Sequence, residues 1–173
     1  MDCAAEPRSA SRSNSDGASV SLAESEFVYA NSLGFRGGYR SSRHHIDVSV
    51  IGEDREGMQR DFWYTAARSP RDLASGVEVG RIAGERTARR LGARPLATIE
   101  CPVLFEAPEA ADLIGAFVQA VSGGSLYRKS SFLVDSLGEP VFAPQVSIRE
   151  EPHLPRGRGS AQFDAEGVAT APR

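Results

Sequence analysis

The first half of the chain alternates between apolar and polar residues, which is the pattern of half-buried strands. Residues 20–22 alternate and residues 27–29 are aromatic or β-branched, so the sequence predicts two short strands there. Residues 46–51 alternate in the same way, residues 52–57 are typical of a turn, and residues 59–66 include three aromatic side chains. These three segments predict a β-hairpin.

Two later segments have helical periodicity. Ser69 and Pro70 suit an N-cap and a first helical position, and we expect the helix to continue to Arg90. Ala83, Thr87 and Leu91 then share one face. A second helix opens at 107–109, and its apolar side chains fall on a face that we expect to pack on a sheet or another helix: Leu113, Ile114, Phe117, Val118 and Val121.

Short apolar runs at 101–105, 132–135 and 146–148 predict three further strands. Together the elements predict an α+β fold of antiparallel strands with two main helices. We expect a flexible lead-in over 1–18, an incomplete α+β domain over 19–151, and a loop-like C-terminal segment over 152–173.

Composition and charge narrow the classes of function. A length of 173 residues suits about one domain. A net charge of −3 and a pI near 5.7 provide no global attraction to nucleic acid or to an anionic membrane. No apolar run approaches the roughly 20 residues that a spanning helix needs, and the first dozen residues hold no secretory signal. The sequence therefore predicts a cytoplasmic protein that binds neither nucleic acid nor membrane.

Metal chemistry has little support in the residue spacing. His44 and His45 are adjacent, so in a strand they point to opposite faces, and His153 lies far away in the sequence. Cys3 and Cys101 are not spaced as a pair, and no HExxH, HExxxH or CxxC motif occurs. A structural or solvent-facing role is therefore favoured for the histidines.

Two basic segments are candidate anion sites. The cluster Arg36, Arg40, Arg43, His44 and His45 could hold a phosphate or a peptide carboxylate, or it could be a polar strand edge, which we favour. Residues 124–130 have glycine, lysine and serine in the order of a phosphate loop. Arg128 precedes the lysine where that loop needs glycine, and the helix lies upstream, so nucleotide binding is disfavoured.

Several strings occur together in the order found in one family. They are NSDGAS at 14–19, SLGF at 32–35, GMQRD at 57–61, GGSLYRKSSFL at 123–133 and FDAEGVAT at 163–170. The chain thereby resembles the PmbA/TldE branch of the TldD/PmbA metalloprotease family over roughly residues 12–170. Full-length members have further sequence on both sides, so the resemblance implies a fragment of the middle region whose strands lack some partners.

The resemblance implies a subunit of a two-part zinc metalloprotease system that cleaves unfolded peptides. The TldD subunit holds zinc with a helix bearing HExxxH, where two imidazoles bind the metal and the glutamate takes a proton from water. Gly115 and Ala120 stand at the equivalent histidine positions here, and Ala116 at the glutamate. The implied role is a partner without zinc ligands or catalytic residues, with zinc in a TldD-like subunit, so whether this chain is itself an enzyme stays open.

The glycines that follow this helix motivate a candidate site for peptide or partner binding. Backbone near Gly123, Gly124 and Ser125 could pair with an extended peptide. The candidate residues, all within the GGSLYRKSSFL string, are Gly123, Gly124, Ser125, Tyr127, Arg128 and Lys129.

Three alternatives remain open at this point. One is a stand-alone metallopeptidase that holds zinc with His44, His45 or His153 and an acidic residue. Another is a phosphate or nucleic-acid module built on residues 36–45. The third is a non-functional fragment.

Overall fold

The structure, a computed structural model, describes residues 12–173. Their contacts form two compact units. The described part of unit 1 is residues 12–95 and 149–173, and unit 2 is Leu96–Ile148. The last 25 or so residues of the chain therefore pack with its first half, although the elements between them belong to another unit.

Unit 1 is built on a three-stranded antiparallel sheet in the order β1, β2, β3. The strands are β1 (Arg12–Ala30), β2 (Arg36–Asp54) and β3 (Gly57–Ala67). The turn after Asp54 joins β2 to β3, which confirms the predicted hairpin. An antiparallel sheet with separate helices also confirms the α+β class.

Strand β1 corrects the prediction of two short strands. It is one strand of 19 residues, paired with β2 along its length apart from a register shift between Ser15 and Gly17. The polar stretch in its middle stays extended because the backbone of β2 pairs with it, with Ala23 opposite Arg43. The strand already includes residues of the predicted lead-in, of which residues 1–11 lie outside the described residues.

Helix α1 (Gly76–Arg90) covers β2 and β3. We call the side of the sheet that it covers the helix face, and the other side the open face. Val79, Ala83 and Thr87 are buried against the helix face, as the periodicity predicted for the last two. The Thr87 hydroxyl lies 2.8 Å from the carbonyl oxygen of Ala83 and 3.2 Å from that of Val50, which satisfies a buried polar group.

The start of α1 differs from the prediction. Ser69 and Pro70 do begin a helix, but it is a short 3-10 turn, Pro70–Asp72. The α-helix has its own N-cap, Ser75, whose hydroxyl oxygen accepts from the backbone N–H of Glu78 at 3.2 Å. The segment therefore forms two helices, because Ser69 and Ser75 each cap backbone N–H groups of a first helical turn.

Unit 2 contains α2 (Ala107–Ala120) and α3 (Gly123–Tyr127). Helix α2 confirms the prediction, but its expected burial is wrong: Leu113, Val118 and Val121 are exposed. The Phe117 ring packs on Phe142 with ring centroids 4.9 Å apart. The rest of the apolar face is uncovered because the described part of unit 2 contains turns and helices and no sheet.

The three strands predicted at 101–105, 132–135 and 146–148 are wrong. These segments are irregular or form turns, and Leu104 is 97% exposed. A strand needs a neighbour for its backbone N–H and C=O groups, and unit 2 offers no strand among its described residues. Within residues 12–173, no helix is both long and apolar enough to cross a membrane.

Candidate functional site

The predicted peptide site lies in a helix rather than in extended backbone. Helix α3 covers Gly123–Tyr127, and Ser122 is its N-cap. The backbone N–H groups of Ser125 and Leu126 both donate to the carbonyl of Ser122, at 2.9 and 3.1 Å. Strand-like pairing with a peptide is therefore not available at Gly123–Ser125 in this conformation. A role of this segment in peptide or partner binding stays a prediction.

The side chains that follow are open to solvent. Tyr127 is 89% exposed, and Arg128 and Lys129 are exposed as well. Lys129 has a φ of 53°, a left-handed conformation that ends the helix. An exposed tyrosine offers a large rigid ring with a polar tip, which suits a contact with another protein.

Helix α2 provides no metal ligand at the positions that the resemblance assigns to zinc binding. Gly115 and Ala116 are exposed, Ala120 is buried, and none of the three has a donor atom in its side chain. Across residues 12–173, no three His, Cys, Asp or Glu side chains are grouped closely enough to hold a metal ion. The residues that the structure describes therefore do not fit a zinc site.

The three histidines are in separate environments. His45 Nε2 lies 3.3 Å from Oδ1 of Asp47 on the open face, while His153 Nε2 lies 3.1 Å from the hydroxyl of Thr170. His44 follows the alternation of β2 onto the helix face. The metallopeptidase alternative, which required a histidine and an acidic residue to form a metal site, has no such site in the described chain.

The same alternation divides the basic segment 36–45. Arg36 and Arg40 share a face with His44, and Arg40 pairs with Glu26 at 3.5 Å. Arg43 and His45 are on the open face. The segment is therefore not one basic cluster, as a phosphate module built on residues 36–45 would need.

A shallow groove of about 710 Å³ is lined mainly by open-face side chains of β2 and β3, together with Asp61 and with Arg90 of α1. Asp47 is among the lining residues, and it accepts a hydrogen bond from the Ser19 hydroxyl and contacts His45. The His45 ring stacks on Tyr64 with centroids 5.6 Å apart. The hydroxyl and the imidazole both contact the carboxylate and not each other, so this serine is not activated as a nucleophile.

Arg60 also lines the groove. Its Nε lies 2.7 Å from the carboxylate of Asp16 and 3.0 Å from the Ser49 hydroxyl. Asp16 is at the register shift of β1, and that shift brings the carboxylate over the open face. Both carboxylates, Asp16 and Asp47, are thus engaged with neighbouring side chains.

The FDAEGVAT string is anchored on the open face where β1 and β2 meet their connecting turn. Phe163 is only 8% exposed, and its ring centroid lies 5.2 Å from Phe35, 5.3 Å from Tyr39 and 6.0 Å from Phe27. Its backbone forms a bridge with Ala169. The predicted loop-like segment therefore holds a buried aromatic anchor.

Asp164 shapes the turn that follows this anchor. Its carboxylate accepts backbone N–H bonds from Glu166 and Val168, each at 2.9 Å. Gly167 then adopts a φ of 79° beneath the Tyr29 ring. A β-carbon at Gly167 would lie 2.7 Å from that ring, so the turn needs glycine both for its φ and for its close approach.

We expect Gly167→Ala to destabilise unit 1 by about 2 to 4 kcal/mol, because the methyl group adds a clash to the strain of a left-handed residue. Gly34→Ala is the matched control, since Gly34 has a φ of 92° and open space where the β-carbon would lie. It should cost about 1 kcal/mol. Urea unfolding followed by the fluorescence of Trp63, the one tryptophan, measures both. Equal losses would show that Tyr29 moves aside freely.

Two family models together match nearly the whole chain. The PmbA/TldA metallopeptidase central domain matches residues 1–91, and the PmbA/TldA metallopeptidase C-terminal domain matches residues 98–173. The chain belongs to the PmbA/TldD metallopeptidase family. This confirms the resemblance found in the sequence. The boundary between the matched domains lies close to the first boundary between the two units, at Pro95 and Leu96.

Curated members of the PmbA/TldD family show how much of a full-length protein is present. The chain is 42% identical over 160 residues to Metalloprotease PmbA of Escherichia coli and 43% identical over 160 residues to the Metalloprotease PmbA homolog of Haemophilus influenzae. Each match covers 92% of this chain and 36% of the relative. The chain thus spans about a third of the length of these proteins.

Two solved structures have the same fold. They are proteins described as candidate modulators of DNA gyrase, from Bacteroides thetaiotaomicron and Thermotoga maritima, with identities of 26% and 28%. In both cases the TM-score is 0.83, and the match covers 90% of this chain and 36% of the other.

The structure also shows residues of this PmbA/TldD member that sequence reasoning missed. Arg68 follows β3, and its Nη2 donates to the carbonyls of Arg158 and Ser160, both at 3.0 Å. Arg156 pairs with Asp72 at 3.1 Å. These contacts fix the C-terminal segment beside the sheet. No local pattern could have indicated them, because their partners are more than 80 residues apart in the sequence.

Proposed function

We propose that this chain is part of a PmbA-like subunit that works with a TldD-like zinc subunit in the cleavage of unfolded peptides. In this proposal the TldD-like subunit supplies zinc and the general base, and the present chain contributes contacts to the partner and to the peptide. The proposal places the complex in the cytoplasm.

The observation that carries this proposal is the side-chain content of α2. The family is a metallopeptidase family, yet the helix that the resemblance equates with the zinc helix of TldD has Gly115, Ala116 and Ala120 at the implied ligand and base positions. Neither hydrogen nor a methyl group can bind zinc or accept a proton from water. Metal chemistry in such a system then has to come from another subunit.

Exposed side chains of unit 2 support the contact role. Tyr127 and the apolar side chains Leu113 and Val118 of α2 are open to solvent. An uncovered apolar helix face beside an exposed tyrosine is typical of a protein interface. The predicted site residues Gly123 to Lys129 belong to this surface in the proposal.

The experiment is a reconstitution. An unfolded peptide is incubated with this chain, with a zinc-loaded TldD-like subunit, and with both, in the presence and absence of a chelator. We expect cleavage that needs both proteins and stops with the chelator. Chelator-sensitive cleavage by this chain alone would refute the proposal, since the described residues supply no metal site.

A substitution at Tyr127 tests whether this side chain contacts the TldD-like subunit. Tyr127→Ala should weaken binding of the TldD-like subunit by about fivefold or more, because truncation of a central interface tyrosine costs over 1 kcal/mol. Leu137→Ala is the control, since Leu137 is fully exposed in the same unit but lies outside the candidate segment. Surface plasmon resonance with the TldD-like subunit immobilised measures the affinity of both variants. Equal affinities for the two variants would exclude Tyr127 from the interface.

A further inference from the structure

A second cavity of about 220 Å³ lies in unit 1, where the end of β3 meets the middle of β1 and β2 and the C-terminal segment. We call it the arginine pocket. Three arginines, three serines and two alanines line it: Arg43, Arg68, Arg158, Ser25, Ser41, Ser42, Ala23 and Ala67. Its lining contains no acidic residue, so the charged groups at its wall all have the same sign.

The three guanidinium groups have no acidic partner among residues 12–173. Some other arginines of unit 1 do have an acidic partner, for example Arg40 with Glu26, Arg60 with Asp16, and Arg156 with Asp72. For Arg43, Arg68 and Arg158, the described residues place no carboxylate oxygen within 4.0 Å. Three like charges around one cavity repel each other and attract an anion into it.

Arg68 is held in place at the inner wall of the pocket. Its carbonyl oxygen accepts from the Ser42 hydroxyl at 2.6 Å, and its Nη2 is bonded to two carbonyls of the C-terminal segment. These bonds use one nitrogen of a group that has five N–H donors. Arg68 lines the pocket and is already held by these bonds, so less side-chain entropy is lost when its other donors bind an acceptor there.

The serines add a neutral donor. The hydroxyl oxygens of Ser25 and Ser41 lie 2.7 Å apart, so one proton is shared between them. The other hydroxyl proton of the pair stays available for a ligand oxygen. The cavity is smaller than the roughly 300 to 1,000 Å³ typical of whole drug-sized ligands, and its size suits a single carboxylate or phosphate group.

We propose that the arginine pocket binds an oxyanion, either a carboxylate or a phosphate group, through Arg43, Arg68 and Arg158. The site is separate from α2 and from the predicted segment Gly123–Lys129. It does not depend on a zinc subunit or on peptide cleavage. The shared chemistry is a compact oxyanion that accepts several charge-assisted hydrogen bonds.

Isothermal titration calorimetry on the 173-residue chain at low ionic strength tests the proposal. Three probes are compared: inorganic phosphate, an acetylated tripeptide with a free C-terminal carboxylate, and the same tripeptide as its C-terminal amide. We expect phosphate or the acid to bind, and the amide to bind far more weakly. Which of the two anions binds more tightly distinguishes a phosphate source from a peptide end.

Arginine variants show whether binding occurs at this pocket. Arg43→Ala and Arg158→Ala should each weaken binding of the anion about tenfold, the usual loss for one hydrogen bond to a charged group. Both side chains are exposed, so the fold should tolerate their removal, and circular dichroism checks this. Arg40→Ala is the control, because Arg40 is on the same strand but on the other face.

Two results would overturn the proposal. One is that neither phosphate nor the tripeptide acid binds more tightly than the amide. The other is that the anion binds, yet folded Arg43→Ala and Arg158→Ala proteins retain the affinity of the Arg40→Ala control. Neither result bears on zinc-dependent cleavage by a reconstituted pair, so the two proposals fail independently.

Discussion

Val79→Asp is expected to lower the free energy of unfolding of unit 1 by about 3 to 5 kcal/mol. Val79 is fully buried between α1 and the sheet. A carboxylate at this position would lose its hydration in a site that valine fills. Because small domains are stable by about 5 to 15 kcal/mol, the variant should be close to unfolding at room temperature.

Val77→Asp provides a matched control. Val77 is in the same first turn of α1, and it is 85% exposed. Both variants introduce the same charge near the helix N-terminus, where the helix dipole favours an acid. The difference between their losses of unfolding free energy therefore reports the cost of burying the carboxylate. Urea unfolding followed by Trp63 fluorescence should show a large loss for Val79→Asp and a change within about 0.5 kcal/mol for Val77→Asp.

A loss below about 1 kcal/mol for Val79→Asp would contradict this account of the core. It would mean that α1 shifts on the sheet until the carboxylate reaches water. The extra hydrogen exchange of such a shifted helix would appear at amides around Ala83 and Thr87, which are buried on the same face.

Elements stabilised by their own neighbours in sequence could be predicted. The β2–β3 hairpin has a short turn, so alternation at 46–51 and aromatic residues at 59–66 were enough. The buried face of α1 followed from the spacing of Ala83 and Thr87. In the hairpin the pattern and its partner strand are close together in the chain, whereas for α1 the apolar spacing alone marks the face that β2 and β3 then cover.

Elements that depend on distant partners could not be predicted in this way. The middle of β1 is polar, and only its pairing with β2 keeps it extended. The apolar run 101–105 shows the reverse case. Its composition favours a strand, but it stays irregular because no strand is beside it in the described part of unit 2. A local pattern records propensity and not the presence of a hydrogen-bond partner.

The same difference between local and distant residues decides which functional features could be predicted. Membership of the family could be inferred because its strings are contiguous in sequence. The arginine pocket could not, because Arg43 is in the middle of β2, Arg68 follows β3, and Arg158 is in the distant C-terminal segment. Sequence reasoning grouped Arg43 with its neighbours Arg40 and His44, which the alternation of β2 sends to the opposite face.

Phe163→Ala is the second variant with a large expected effect, about 3 to 5 kcal/mol. The Phe163 ring contacts Phe27, Phe35 and Tyr39, and it is the buried anchor of the C-terminal segment. Its removal leaves a cavity among rings that belong to β1, β2 and their turn. Leu154 and Val168, the other large apolar side chains of the segment, are exposed, so we expect the segment to detach before the sheet unfolds.

Hydrogen exchange measures this detachment directly. Amides that are bonded across the segment, such as Asp164 to Val168 and Thr170 to Gln162, should lose protection in Phe163→Ala while α1 keeps most of its own. Phe132→Ala is the control, since Phe132 is 79% exposed and the same atoms are removed. It should leave exchange in both regions unchanged.

The same variant connects the anchor to the arginine pocket. Arg158 reaches the pocket on the segment that Phe163 holds, and Arg68 is bonded to that segment. If the segment detaches, the pocket loses one arginine and the alignment of another, so anion binding should weaken by more than in Arg158→Ala alone. Unchanged exchange at Asp164 and Thr170 in a folded Phe163→Ala protein would show that Arg68 and the Arg156–Asp72 pair hold the segment without the ring.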